Sequence, residues 1–246
     1  VGEVMNRAIA VIRANPLATF GIAFLFGALP QQLFRFFTRP FATTDPTAAM
    51  GLVALSIASV LLSMFLASLV AGAIVRVTIG FAEDEKVSFG ESVSTGLAKA
   101  LPLLGLSVLM AVALVLGFML LVVPGVILLV MWAVASPALV AENIGVIEAF
   151  GRSRQLTKGA RWRVFGLGLL MLVIFWIISA ISGVLFYASG GIESAASGGS
   201  IPFILFSVVV GTVVTAFTGA VQTNLYLALR DWKDGTRLGA LAEVFA

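Results

Sequence analysis

The chain has 246 residues, 60% of them hydrophobic and only 11% charged, with a mean hydropathy of +1.11 and a formal net charge of +3. That balance excludes an ordinary soluble domain and marks an all-α integral membrane protein. With neither Cys nor His, disulfides, thiol chemistry and imidazole-based catalysis or metal binding are excluded as well.

The first 15 residues carry Glu3, Arg7 and Arg13 at helical spacing, unlike the apolar region of a signal peptide. The start at Val1 rather than Met is what a chain trimmed at its ends would show. Beyond it the apolar runs are continuous rather than alternating, which predicts helices and not a β-barrel, because a helix satisfies its own backbone inside lipid. Six spans are predicted, near residues 16–36, 47–75, 101–123, 126–141, 164–188 and 201–229. The first is interrupted by Pro30-Gln31-Gln32, and the fourth is short and contains Pro137. Pro124-Gly125 predicts a tight turn that makes the third and fourth spans a close hairpin. The stretches FTRPFATTDP and ASGGIESAASGGS, turn-rich and Gly/Ser-rich, read as flexible connectors.

Positively charged loops stay on the cytoplasmic side. Arg7 and Arg13 precede the first span, and Arg76, Lys86 and Lys99 lie between the second and third. Arg152, Arg154, Lys158, Arg161 and Arg163 precede the fifth, and Arg230, Lys233 and Arg237 follow the sixth. Only Arg35 and Arg39 fall on the other face. Both termini are therefore expected in the cytoplasm, with Trp162 and Trp232 at the inner interface and Tyr187 at the outer one.

Three segments share one layout: VGEVMNRAIAVIRANPLATFG, FGESVSTGLAKALPLLG and GVIEAFGRSRQLTKGARWRVFG. Each has an early Glu (Glu3, Glu91, Glu148), an amphipathic stretch, then Pro16, Pro102 or Gly159 before a span. The single polytopic domain 1–246 thus reads as three units, 1–80, 86–143 and 144–235, each an interfacial helix followed by a transmembrane hairpin. In the third, Glu148, Arg152 and Gln155 share one helical face and Ile144, Ile147 and Phe150 another, as expected for a helix lying in the headgroup plane.

The cluster Arg152, Arg154, Lys158, Arg161 and Arg163 has two readings: a loop anchored inside by snorkelling cations, or contact with anionic lipid headgroups. Charges placed in loops between spans argue against nucleic acid. Glu142 reads as an ion-pair partner of Arg152 or Arg161 that orients the interfacial helix, and Glu148 stands four residues before Arg152 in the favoured order. In the sixth span Gly211, Thr215, Thr218, Gly219, Gln222 and Tyr226 trace a stripe that either lines a cavity or packs against a neighbour. Ser59, Ser63, Ala67 and Ala71 trace a packing stripe in the second. No charged residue falls centrally in a span, no Gly-rich phosphate loop precedes a Lys-Ser/Thr pair, and Glu83-Asp84-Glu85 reads as a solvated loop. Ion-coupled pumping, ATP hydrolysis and acid–base catalysis are therefore not expected, and no catalytic, metal or cofactor residue is assigned.

The string PGVILLVMWAVASPALVAENIGVIEAFGRSRQLTKGARWRVFGLGLL and the ending NLYLALRDWKDG resemble the membrane domain of the glycerophosphoryl diester phosphodiesterase membrane-domain family. That resemblance implies six helices in a bacterial inner membrane. It carries no phosphodiesterase chemistry, because in such enzymes a separate soluble barrel holds the catalytic His, Glu and metal ligands. The expectation is a non-enzymatic inner-membrane protein that associates with anionic lipid, or scaffolds an unidentified protein, at the cytoplasmic leaflet. The alternative is a transporter of a small apolar or amphiphilic solute.

Overall fold

In the computed structural model, residues 2–30, 32, 46–85, 87–191 and 201–244 are described, and all regular structure among them is helical. Helix α1 (Gly2–Ala14) buries Val4, Ala8 and Val11, a three-and-four spacing that sets one face against the bundle. Arg7 and Glu3 pair at 2.8 Å on the exposed face. The chain bends by 96° at Asn15, and Pro16 opens α2 (Pro16–Ile22) at a position where its missing N–H leaves nothing unsatisfied. A π-helical stretch, Ala23–Ala28, continues it.

The remaining helices are α3 (Pro46–Ala82), α4 (Phe89–Leu120), α5 (Val122–Met131), α6 (Ala135–Ala141), α7 (Val146–Thr157), α8 (Arg161–Ala188) and α9 (Ile201–Val244). Among the described residues, five segments are long and apolar enough to cross a membrane: 55–82, 89–120, 122–141, 161–188 and 201–235. The bent α1–α2 pair raises the number to six if it counts as one span. The chain is a multi-pass, all-helical membrane protein.

The helices overrun the predicted spans because backbone hydrogen bonding continues past the apolar run into the polar ends. The clearest case is α4. Its first 13 residues were expected to be an interfacial helix ended by Pro102, yet one helix runs from Phe89 to Leu120 with Pro102 inside it. Only the first and third units have a separate amphipathic helix, because only there does a non-helical break, at Asn15 or at Lys158–Ala160, follow it.

The Pro124-Gly125 turn also lies elsewhere. The reversal is at Leu121, in an extended conformation with φ −166 and ψ 156, and Pro124 sits in the first turn of α5, where proline is tolerated. Gly125 serves packing instead. A Cβ there would meet the Phe118 ring at 2.5 Å, so the hairpin can close only on a bare backbone.

A second close approach joins α3 to α4. A Cβ on Gly96 would lie 2.4 Å from the Leu69 carbonyl oxygen and 3.1 Å from the Ala73 Cβ. The small-residue contact of the second span is thus made by the face carrying Gly72 and Ala73, one step round from the expected Ser59, Ser63, Ala67 and Ala71. The predicted connectors at 37–46 and 188–200 fall largely outside the described residues, and Arg35, Arg39, Lys86 and the side chain of Arg237 fall outside them.

Candidate functional site

The site begins with a proline. Pro137 has no N–H, so in a continuous helix the carbonyl of Ala133, four residues earlier, would lack its donor. The helix breaks there: α5 ends at Met131, residues Trp132–Val134 form a turn, and α6 begins at Ala135. Three of the backbone groups at the break have partners on neighbouring helices. The Gln222 Nε2 of α9 donates to the Ala133 carbonyl at 2.8 Å. The Ser153 hydroxyl of α7 donates to the Met131 carbonyl at 2.8 Å and accepts from the Val134 N–H at 3.3 Å. Broken helices persist at membrane depth only with such compensation.

These bonds seat α7 against the break, and burial follows them. Ala149, Ser153, Leu156 and Thr157 are the buried face of α7, and Ile147, on the apolar face read from the sequence, is 71% exposed. Phe150 stacks at a tilt on Trp132, ring centroids 4.7 Å apart. The packed face of this helix thus joins one large apolar side chain, Leu156, to the small or hydroxylated Ala149, Ser153 and Thr157, of which Ser153 bonds to the broken backbone.

An ion-pair lock closes the same corner. Arg152 Nε lies 2.7 and 2.9 Å from the two carboxylate oxygens of Glu142, and its terminal nitrogen lies 2.8 Å from Asp234. The Tyr226 hydroxyl donates to Glu142 at 2.9 Å. One guanidinium thus ties α7 to the end of α6 and to α9, and its planar fork suits two carboxylates at once. Burial pulls the Arg152 pKa down, but its hydrogen bonds to Glu142 and Asp234 outweigh that and leave it raised. Lys99 and Asn143 add a further hydrogen bond, from α4 to the residue after Glu142.

The predicted basic cluster consequently divides. Arg152, expected among the headgroup contacts, faces inward with only 20% of its side chain exposed. Arg154, Lys158, Arg161 and Arg163 are exposed, and none forms an ion pair among the described residues. Beside them Trp162 is 85% exposed. Glu148 does not pair with Arg152 but accepts from the Gly145 N–H at 3.1 Å, capping α7. Gly159 turns the chain between α7 and α8 at φ +92, with Trp232 packed over it.

A cavity of about 390 Å³ lies between the end of the π-helical stretch, α3 and α9. Thr215, Thr218 and Gln222 line one side and Ser59, Ser63 and Ala67 another. The two stripes recognised in the sequence therefore face each other across a space. Sequence reasoning missed Asp234 and the roles of Ser153 and Gln222, all joined to their partners across long stretches of chain. The missing N–H of Pro137 was the one signal that an outside donor was needed. Among the described residues no group of three His, Cys, Asp or Glu could hold a metal ion.

Residues 51–229 match the family described as "Domain of unknown function (DUF7847)". That family, rather than the glycerophosphoryl diester phosphodiesterase membrane-domain family, is the one the comparison shows. No curated protein and no solved structure matches the chain.

Proposed function

This chain belongs to the DUF7847 family, whose description names no activity, and from its own residues we propose that it is a non-enzymatic membrane protein that engages anionic lipid at the cytoplasmic leaflet. The carrying observation is the division of labour at the α7–α8 corner. Arg152 is consumed by Glu142 and Asp234, and this holds the corner in place while Arg154, Lys158, Arg161 and Arg163 remain exposed without acidic partners among the described residues. Four cations next to an exposed Trp162 suit a headgroup layer, with each cation close to an anionic surface contributing roughly 1 kcal/mol. Both termini are cytoplasmic in this reading, by the distribution of Lys and Arg. The membrane is a bacterial inner membrane, as the similarity of residues 124–170 and 224–235 to the phosphodiesterase membrane domain suggests. Scaffolding of a protein partner on the same corner belongs to this reading.

Native mass spectrometry from mixed phosphatidylglycerol and phosphatidylcholine measures lipid retention directly. Arg154, Lys158, Arg161 and Arg163 replaced together by Gln should abolish the preference for phosphatidylglycerol. An unchanged preference rejects the proposal.

A second reading, passage of an apolar or amphiphilic solute, draws on the cavity between the π-helical stretch, α3 and α9. Its lining is mainly apolar with a few hydroxyls, which suits a chain-like amphiphile rather than an ion. Ala71→Phe, which narrows it, should block solute flux in vesicles without altering lipid preference.

A further inference from the structure

A groove of about 520 Å³ on the outside of the bundle runs along α5 and the start of α8, lined by Val122, Val123, Val126, Ile127, Val130, Arg161, Trp162 and Phe165. Seven of those eight residues are apolar, and the eighth is one of the unpaired cations of the corner. The Trp162 and Phe165 rings stand edge to face at 6.0 Å, and Trp162 is 85% exposed.

We propose that this groove is a discrete, saturable site for one anionic phospholipid, with an acyl chain lying along Val122, Val126 and Val130 and the phosphate on Arg161. Charge complementarity selects the occupant. An apolar channel alone would accept any lipid tail, but a guanidinium among its lining residues favours a tail attached to an anion. Phosphate suits guanidinium geometry because two oxygens can be held together. Trp162 belongs at the level where chain and headgroup meet, since its ring is apolar and its N–H is a donor. The groove is built on rigid parts: α5 is held through its broken end by Ser153, and Arg161 opens α8 directly after the Gly159 turn.

This inference rests on the proposed function and narrows it from four cations to one site, so the test separates the two. Phosphatidylglycerol bound per chain is counted by native mass spectrometry during titration into protein held in phosphatidylcholine-containing micelles. The site requires one phosphatidylglycerol to saturate ahead of any others. Arg161→Gln should weaken that first binding about fivefold, the loss of one cation near the surface. Val126→Trp, which fills the groove and leaves every charge in place, should weaken it about tenfold or more, as expected for a pocket that excludes its ligand. Arg154→Gln and Lys158→Gln should change it less than twofold, as charges outside the groove. Equal weakening by all three charge variants, with no response to Val126→Trp, overturns the site while leaving the general anionic preference standing. Absence of any phosphatidylglycerol preference in the unaltered protein overturns both. Circular dichroism and thermal unfolding of Val126→Leu, a milder filling that should give intermediate binding, guard against a folding defect.

Discussion

The Arg152 lock makes the sharpest stability prediction. Its three side chains, Arg152, Glu142 and Asp234, are 20%, 24% and 39% exposed, between a surface pair, worth about 0–1 kcal/mol, and a fully buried one, where removing a partner costs about 3–5 kcal/mol. The double hydrogen bond to Glu142 and the Tyr226 hydroxyl on the same carboxylate place the Glu142 arm nearer the buried limit. Arg152→Gln should therefore cost about 2–3 kcal/mol, because it leaves Glu142 charged and without its cation. For a chain of this length about 2–4 °C is lost per kcal/mol, so the midpoint of thermal unfolding in detergent should fall by roughly 4–12 °C. Glu142→Gln in the same background should recover part of the loss, because a neutral amide needs no counter-ion and its carbonyl still accepts from Tyr226. Asp234→Asn alone should cost less than about 1 kcal/mol, as a more exposed pair does. A double-mutant cycle in which Arg152→Gln and Glu142→Gln simply add would refute the lock.

Other consequences are equally open to measurement. Gly96→Ala should lower the unfolding midpoint by an amount corresponding to at least about 1–3 kcal/mol, since the new methyl lies 2.4 Å from the Leu69 carbonyl oxygen; an unchanged midpoint would show that α3 and α4 separate freely. Ser153→Ala should raise amide hydrogen exchange through residues 131–135, with a stability loss of about 1–3 kcal/mol, because it strands the Val134 N–H and leaves the Met131 carbonyl only the longer bond from Thr157 at 3.4 Å. Gln222→Ala should act on the same segment more weakly, near the ~0.6–1.7 kcal/mol found for side-chain bonds within membranes. Because the chain has no Cys, single-cysteine labelling is clean: Lys158→Cys should react with an impermeant maleimide only in inside-out vesicles and Ser189→Cys only in right-side-out ones. The reverse pattern would overturn the orientation and the lipid proposals built on it.

What the sequence made legible, and what it hid, follows from the range of each interaction. Membrane crossing was legible because hydropathy is a sum over neighbours in the chain, and so was the local reversal between the third and fourth spans. Its position was misread because proline at 124 is equally at home in a turn and in the first turn of a helix, and only the packing of Gly125 on Phe118 separates the two. Glu142 and Arg152 stand ten residues apart, near enough to suggest a pair; Asp234 is 82 residues from Arg152 and Gln222 is 89 from Ala133, and nothing local announces either. The stripes of small and hydroxylated residues were visible, but which face packs depends on rotation about the helix axis, which a repeat of four leaves free. Gly72 and Ala73 took the contact, and the serine face was left to the cavity.

The break in the fourth span links the hidden interactions to the exposed ones. Pro137 deprives Ala133 of its donor, and the compensating groups come from α7 and α9, so a defect in one helix becomes the means of holding three together. Once α7 is pinned by Ser153 and Arg152, the direction of the chain leaving it is set: Gly159 turns at a φ that other residues adopt only with strain, and Arg161 and Trp162 emerge beside α5 rather than elsewhere. A groove with a cation among its walls is then a geometric consequence of a missing backbone N–H. It follows that Ser153→Ala, which touches no lipid and removes no charge, should weaken the first phosphatidylglycerol bound, and in a graded way that tracks the rise in hydrogen exchange at residues 131–135. Unaltered lipid binding beside clearly increased exchange would mean that the corner positions itself without the break, and that the lock and the groove are independent features of the fold.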